Sequence, residues 1–506
     1  MARSASFPDT CGPSDRKLPR SLARPNICCF YSVSLLLEPA RIDLKVNTVI
    51  LALTLASLAS LHGLQTPPPP SRAVIPPIQF KKFTLDNGLQ VYSVEDHKSP
   101  TVAVQLWYHV GSKDDPNGRS GFAHLFEHMM FKGNEHLKED TLDQYTENVG
   151  GYNNAYTADD VTVYHEVVPS NYLQPILWIE AERMASLAIN DANFNSERDV
   201  VKEEYRQRIL ADPYGEFRLA VPINSFAAHP YKRPGIGNIA ELDASKLPEV
   251  RAFHSIFYRP DNATLIVVGD FKPDELDAWT KKYFGPIPKP AEKIPRVSVT
   301  EPPRKEDRQS VIYSPKAPLP AVAVTYQAPS VRSEDDVPLD VAGAILSGGV
   351  SSRLYQSLVY EQQIAQAASF DSDLKEDLGL LTFRLILASG KTASEAEKVL
   401  DAEIDKILKN GVTEDELKKA KNQFLTGKLR ELQTNNGKAS ALGEAAVVYG
   451  DPDRINTDLE KIQGVTAEQV KNVLNKYING KKRVLIEYLP EAMKSQATPS
   501  PEQTAK

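Results

Sequence analysis

The sequence predicts an α+β protein of two homologous domains, each a mainly antiparallel β-sheet with helices packed on one face. Three observations carry that prediction. Short alternating or continuous apolar runs are interleaved with longer stretches of helical spacing. The second half repeats the first: AVAVTYQ from Ala321 corresponds to TVAVQL from Thr101, and pairing Val104 with Val324 gives an offset of about 220 residues. Leu485 falls on Leu265 at the same offset. Residues 285–305 between the halves are rich in proline and read as a linker. Sheets with helices segregated to one face account for this order.

Taken in order, residues 1–65 read as a leader. Its apolar run VNTVILALTLASLASL, Val46 to Leu61, follows Arg41 and Lys45. That is the length of a signal-peptide core and falls short of the roughly 20 residues that span a bilayer. The expectation is export, to a bacterial periplasm, with no stable membrane span after processing; a mitochondrial leader and matrix location is the alternative. Residues 66–79 form a Pro-rich linker. An N-terminal domain over 80–284 begins with two β-runs joined by Asn87-Gly88, a strong hairpin signal. Thr101 to Val110 alternates as a strand, as does the stretch around Val161, Val163, His165 and Val167. Asn171 to Leu187 and Asn195 to Leu210 have helical spacing, then NATLIVVG from Asn262 reads as a buried strand and Pro273 to Phe284 as a helix. After the linker, a homologous C-terminal domain over 306–490 carries helices at 392–408, 413–432 and 466–477. Residues 491–506 read as a tail.

Composition narrows the function. The chain of 506 residues is 41% hydrophobic and 25% charged, ordinary for a globular protein. A net charge of −7 offers no basic footprint, so nucleic acid is not an expected partner. Cys11, Cys28 and Cys29 all lie in the leader, so a metal site in the folded part must use histidine and carboxylate.

Such a site is suggested by Gly121-Phe-Ala-His-Leu-Phe-Glu-His-Met-Met-Phe-Lys-Gly133. On a helix, Phe122, Leu125, Phe126, Met129 and Met130 form one apolar stripe, and His124, Glu127 and His128 gather opposite, with Phe131 in their midst. Histidines four residues apart can share a metal, and a glutamate beside them can reach water there. The order His-x-x-Glu-His is the reverse of the thermolysin-type motif. A third ligand is needed, and Glu197-Arg-Asp-Val-Val-Lys-Glu-Glu204 offers carboxylates on a helix. Glu197 and Glu204 are nearly two turns apart and face the same way. Spacing alone does not choose Glu204 over Glu203.

From about Phe80 to Pro490 the chain resembles the pitrilysin, insulin-degrading enzyme and mitochondrial processing peptidase family of zinc metallopeptidases, most of all its short two-domain branch. The resemblance is carried by Val110-Gly-Ser, the Gly121–Gly133 run, Asn154-Ala-Tyr-Thr, the Glu197–Glu204 run and Gly348-Gly-Val-Ser-Ser-Arg-Leu. It implies Zn²⁺ held by His124, His128 and Glu204, Glu127 as the general base toward water, and Glu197 as an accessory acid. It also implies that a substrate peptide pairs as an added strand along Asn154, Ala155 and Tyr156. The expected function is a zinc metallopeptidase acting on peptides or unfolded segments; the alternative is a non-catalytic structural or peptide-binding subunit.

One departure stands out. Active members of the family continue after the Gly-Gly run with Arg-Glu-Lys-x-Gly-Leu-Ala-Tyr or similar, whose Arg and Tyr reach the substrate. Here Val359 and Gln366 occupy those places. The resemblance therefore implies a heterodimer with a homologous two-domain subunit that supplies both groups, or a homodimer that uses Gln366 or Arg353.

Overall fold

The computed structural model describes residues 76–494; the run Val46–Leu61, the rest of the leader, part of the first linker and residues from 495 onward lie outside them. Strands β1 (Lys81–Thr84) and β2 (Gln90–Glu95) form the hairpin expected at Asn87-Gly88. Gly88 turns at φ +95°, and a Cβ there would sit 2.6 Å from the Asp261 side chain. With β3 (Thr101–Tyr108), β4 (Tyr152–Thr157), β5 (Thr162–Pro169) and β6 (Ala263–Gly269) they make a six-stranded sheet, ordered β1-β2-β6-β3-β5-β4. The second half adds β7 (Arg308–Ser314), β8 (Ala321–Ala328), β9 (Ala365–Asp373), β10 (Gly379–Leu387) and β11 (Val484–Pro490), ordered β7-β11-β8-β10-β9. Without β1 the two sheets have one topology. In each, the first pair is parallel and the others antiparallel, and β4 and β9 are the matching free edges.

Each half packs its own helices on one face of its sheet. In the first, Phe122–Met129, Leu173–Ser186 and Leu247–Phe257 bury Leu125, Phe126, Ile176 and Phe253 against Val104, Leu106 and Val267. In the second, Asp336–Ser347, Ala393–Asn410 and Ala467–Tyr477 bury Ile345, Leu400 and Leu474 against Val324, Phe383 and Leu485.

The opposite faces are covered by exchange, which the sequence reading does not foresee. Helix Asn435–Val447 of the second half lays Ala439, Ala441 and Leu442 on Ala103, Trp107 and Ile266 of the first sheet. Helix Gly215–Ser225 of the first half lays Phe217, Ala220 and Val221 on Ala323, Ile486 and Tyr488 of the second. The two helices start 220 residues apart, so they are the same element of the repeat. Neither shows the one-sided stripe that marks a surface helix: Asn435–Val447 is built largely of small residues, and Gly215–Ser225 exposes Ile223 and contains Pro222.

A buried charged seam also joins the halves. Lys113, 5% exposed, lies 2.8 Å from Asp160 and 2.7 Å from Glu376, and His109 lies 2.7 Å from Glu376. Tyr231 donates its hydroxyl to Asp160 at 2.6 Å. Residues 293–305 carry no helix or strand, yet they are anchored. The Glu301 carboxylate accepts from the backbone N–H groups of Ala227, Ala228 and His229 at 2.6, 2.9 and 2.8 Å. Among the described residues no helix is long and apolar enough to cross a membrane.

Candidate metal centre

The motif helix Phe122–Met129 is only eight residues long, so its direction depends on what holds its ends. At its start Gly121 adopts φ +96°, where a Cβ would meet Gly237 at 2.8 Å. The exposed N–H groups of Gly121 and Ala123 donate to the Asp115 carboxylate at 2.7 and 2.9 Å. Burial pushes the Asp115 carboxyl up to about 7 against those two bonds. At its end, Arg183 Nε donates to the Met130 carbonyl at 3.1 Å. Arg183 is 3% exposed, pairs with the fully buried Glu180 and lies 3.5 Å from Glu166. Burial and the neighbouring Glu180 charge hold Glu166 well above the ordinary carboxyl range. The Arg183 guanidinium also covers the Phe131 ring at 4.8 Å and the Tyr164 ring at 4.7 Å. Phe131, expected on a polar face, is half-buried here.

Between these anchors, His124 and His128 turn to helix Asp191–Tyr205 and meet Glu204. Glu204 Oε2 lies 3.4 Å from His124 Nε2 and 3.3 Å from His128 Nε2. Donors about 2.0–2.2 Å from a tetrahedral metal ion stand roughly 3.3–3.6 Å from one another, which both distances from Glu204 match, and all three donors lie within 4.8 Å of one another. These three side chains are the one group of histidine, cysteine or acidic residues able to hold a metal among the described residues. Glu203, the alternative left open by spacing, is 55% exposed and pairs with Arg206. The other Glu204 oxygen takes Arg208 at 2.7 Å, from the π-helical turn Arg206–Leu210 that continues the helix.

Electrostatics distinguish the histidines. Burial, with His128 beside it, drives His124 down to about 4, which keeps it neutral. Its Nδ1 is buried and has no hydrogen-bond partner. Burial also disfavours the charged form of His128, but Glu197 and Glu204 outweigh it and push His128 up to about 9. Glu197 Oε2 stands 3.7 Å from His128 Nδ1, a charge contact beyond hydrogen-bond length. Lys132 holds its other oxygen at 3.0 Å.

Glu127, on the same helix face, reaches Thr157 on β4. Burial raises its carboxyl, and Thr157 Oγ1, donating to Oε2 at 2.6 Å, partly offsets the rise. Asn154, Ala155 and Tyr156 lie on β4, the free edge of the sheet. The Ala155 N–H is taken by the Asn154 side chain at 2.8 Å, and Tyr156 packs edge-on against Trp107 at 6.3 Å. In the second half, Val359 packs against that core and Gln366 is exposed on β9. Arg353 is bound by both oxygens of Glu416, with Nη2 at 2.6 Å.

The sequence reading passes over Asp115, Arg183, Lys132 and Arg208. A signal for Arg183 exists, because Glu180 and Arg183 stand three residues apart in the apolar run ILWIEAERMASL, where buried charges must pair. The offset of 220 places Ala344, Gly348 and Phe424 where His124, His128 and Glu204 stand. The second half therefore keeps the helices without the donors.

Comparison with known proteins agrees with this division. Residues 90–216 match the family Insulinase (Peptidase family M16), and residues 246–424 match the Peptidase M16 inactive domain. The zinc protease PqqE of Helicobacter pylori is 33% identical over 349 residues, covering 68% of this chain and 78% of that protein. The crystal structure of a protease from Helicobacter pylori superimposes with a TM-score of 0.78 at 29% identity, over 82% of this chain and all of that one. The periplasmic protease PqqL of Escherichia coli shares the fold, with a TM-score of 0.68 at 21% identity over 85% of this chain, which spans 50% of the PqqL chain. On these matches, the chain belongs to the insulinase family of peptidases, M16.

Proposed function

We propose that the chain is a zinc-dependent peptidase whose metal is held by His124, His128 and Glu204. The observation that carries the reading is the convergence of Nε2, Nε2 and Oε2 at tetrahedral spacing with a half-buried carboxylate, Glu127, beside them. Zinc, when bound, supplies a Lewis acid that polarises a peptide carbonyl and makes water acidic near neutral pH. Glu127 is the general base: one oxygen is held by Thr157, and the other accepts the proton of the attacking water and returns it to the leaving amine. Glu197 sits behind His128 as a charge partner to its Nδ1, with Lys132 balancing its charge. The β4 edge at Asn154, Ala155 and Tyr156 receives the peptide as an added strand, for which the Asn154 side chain must release the Ala155 N–H.

The working unit is a dimer. Val359 lacks a donor, Gln366 is a weaker one than a phenol, and Arg353 is occupied by Glu416. A homologous subunit carrying the Arg and Tyr completes the site, and a 1:1 complex with at least tenfold higher turnover is expected on mixing. The exported location rests on the apolar run Val46–Leu61, and N-terminal sequencing of native protein checks it.

The deciding experiment pairs metal analysis with a peptide-mixture assay. Glu204→Gln should empty the site, Glu203→Gln should not, and a chelator should abolish cleavage. Glu127→Gln should keep zinc and lose about 10²–10⁴ in turnover. Cleavage that survives both the chelator and Glu127→Gln would overturn the reading.

A further inference from the structure

We infer that Thr157 is a positioning residue that clamps the Glu127 carboxylate to the free edge of the sheet, so that the strand receiving the peptide also aims the base. The inference rests on the reading of Glu127 as general base. Thr157 donates to Glu127 Oε2 at 2.6 Å, the single hydrogen bond to that carboxylate among the described residues. A glutamate on a helix has three rotatable bonds, and without this partner its head group could swing away from the donors. With Oε2 taken, Oε1 is the oxygen left to receive a proton.

The hairpin makes Thr157 a stiff anchor. Ala158 N–H bonds to the Val161 carbonyl at 2.8 Å, closing the β4–β5 turn. Pairs alternate along an antiparallel ladder, so Thr157, opposite Thr162, directs its own N–H and C=O to the open side of β4. The turn itself is wedged. Ser112 N–H bonds to the Ala158 carbonyl at 3.1 Å, and Ser112 Oγ to Asp159 at 2.8 Å. A Cβ on Gly111 would lie 2.4 Å from the Asp159 backbone. One residue thus offers its backbone to an incoming strand and its hydroxyl to the base. A peptide paired along β4 would meet the Glu127 carboxylate in a fixed register.

The test uses the full chain with its natural partner. Thr157→Val keeps shape and removes the donor; it should bind zinc one to one, melt normally, leave KM unchanged and lower kcat by about 10–100-fold. Thr157→Ser should restore kcat to within a few-fold. In a Glu127→Asp background, whose shorter side chain cannot reach the same donor, adding Thr157→Val should cost far less than in the parent chain. An equal cost in both backgrounds, a change confined to KM, or no rescue by serine would overturn the inference. If Glu127→Gln itself kept normal turnover, the general-base reading would fail on that result alone, whatever Thr157 did.

Discussion

At the scale of single residues, the centre is held by charges hidden beneath it. Arg183 anchors the last turn of the motif helix and is enclosed by Glu180, Glu166, Phe131 and Tyr164. Removing one member of such a buried set leaves charge uncompensated, which typically costs about 3–5 kcal/mol. Arg183→Met should therefore lower the unfolding free energy by that amount, read from denaturant melts, and weaken zinc binding, both measurable on purified protein. His124, Glu127 and His128 are legible in the sequence because one short helix carries them at fixed spacing. Glu204 needed the family resemblance, since helical geometry alone presents Glu203 equally well. Arg183 and Asp115 escape because they act across the fold, through a carbonyl and two backbone N–H groups that no local pattern marks.

At the scale of elements, close packing of Asn435–Val447 on the first sheet makes a sharp prediction about two glycines. A Cβ on Gly443 would lie 2.2 Å from the Trp107 ring, whereas nothing lies within 4 Å of one on Gly427 in helix Glu414–Glu431. Gly443→Ala should cost about 1–3 kcal/mol by overpacking and also disturb Tyr156, which leans on Trp107. Gly427→Ala should stabilise by about 0.5–1 kcal/mol, because alanine loses less chain entropy in a helix. Thermal melts of the pair should move in opposite directions. The strands at 81–95, 101–108, 263–269 and 321–328 were readable because alternation or continuous apolar character marks them. Strands β7 and β9 are partly exposed, which blurs their alternation, and β10 is buried nearly throughout, so periodicity does not separate it from a buried helix segment. Helices 215–225 and 435–447 escape the sequence reading because one exposes Ile223 and holds Pro222, and the other is built largely of small residues, so neither shows a clear apolar period.

At the scale of the whole molecule, the halves are joined by the exchanged helices and by the seam around Lys113. His109 and Lys113 overcome the burial of Glu376 and hold its carboxyl far below the ordinary range. A carboxyl lowered in the folded state stabilises above its unfolded pKa of about 4.3 and loses that contribution as pH falls toward the folded value. Acid should thus loosen the contact between halves as the pH drops below about 5, with Asp160 and Asp377 gathered at the same cation and Arg332 paired to Glu376. Scanning melts from pH 7 to 3 should show the slope, and Glu376→Gln should flatten it. Expressed separately, residues 76–290 and 291–494 should each fail to fold, whereas co-expression should recover a complex, since each sheet lacks a cover without the other half.

That mutual cover also decides where an opening can form. Two halves that each wear the other's helix, with the connecting segment fastened by Glu301, cannot part like the leaves of a hinge without stripping both sheets. Residues 76–494 should therefore move as one body. In the proposed dimer, a mouth wide enough to admit a polypeptide would then lie between this chain and its homologous subunit, its gape governed by how tightly they meet. Scattering curves of the isolated chain should superimpose with and without peptide, while those of the assembled pair should not.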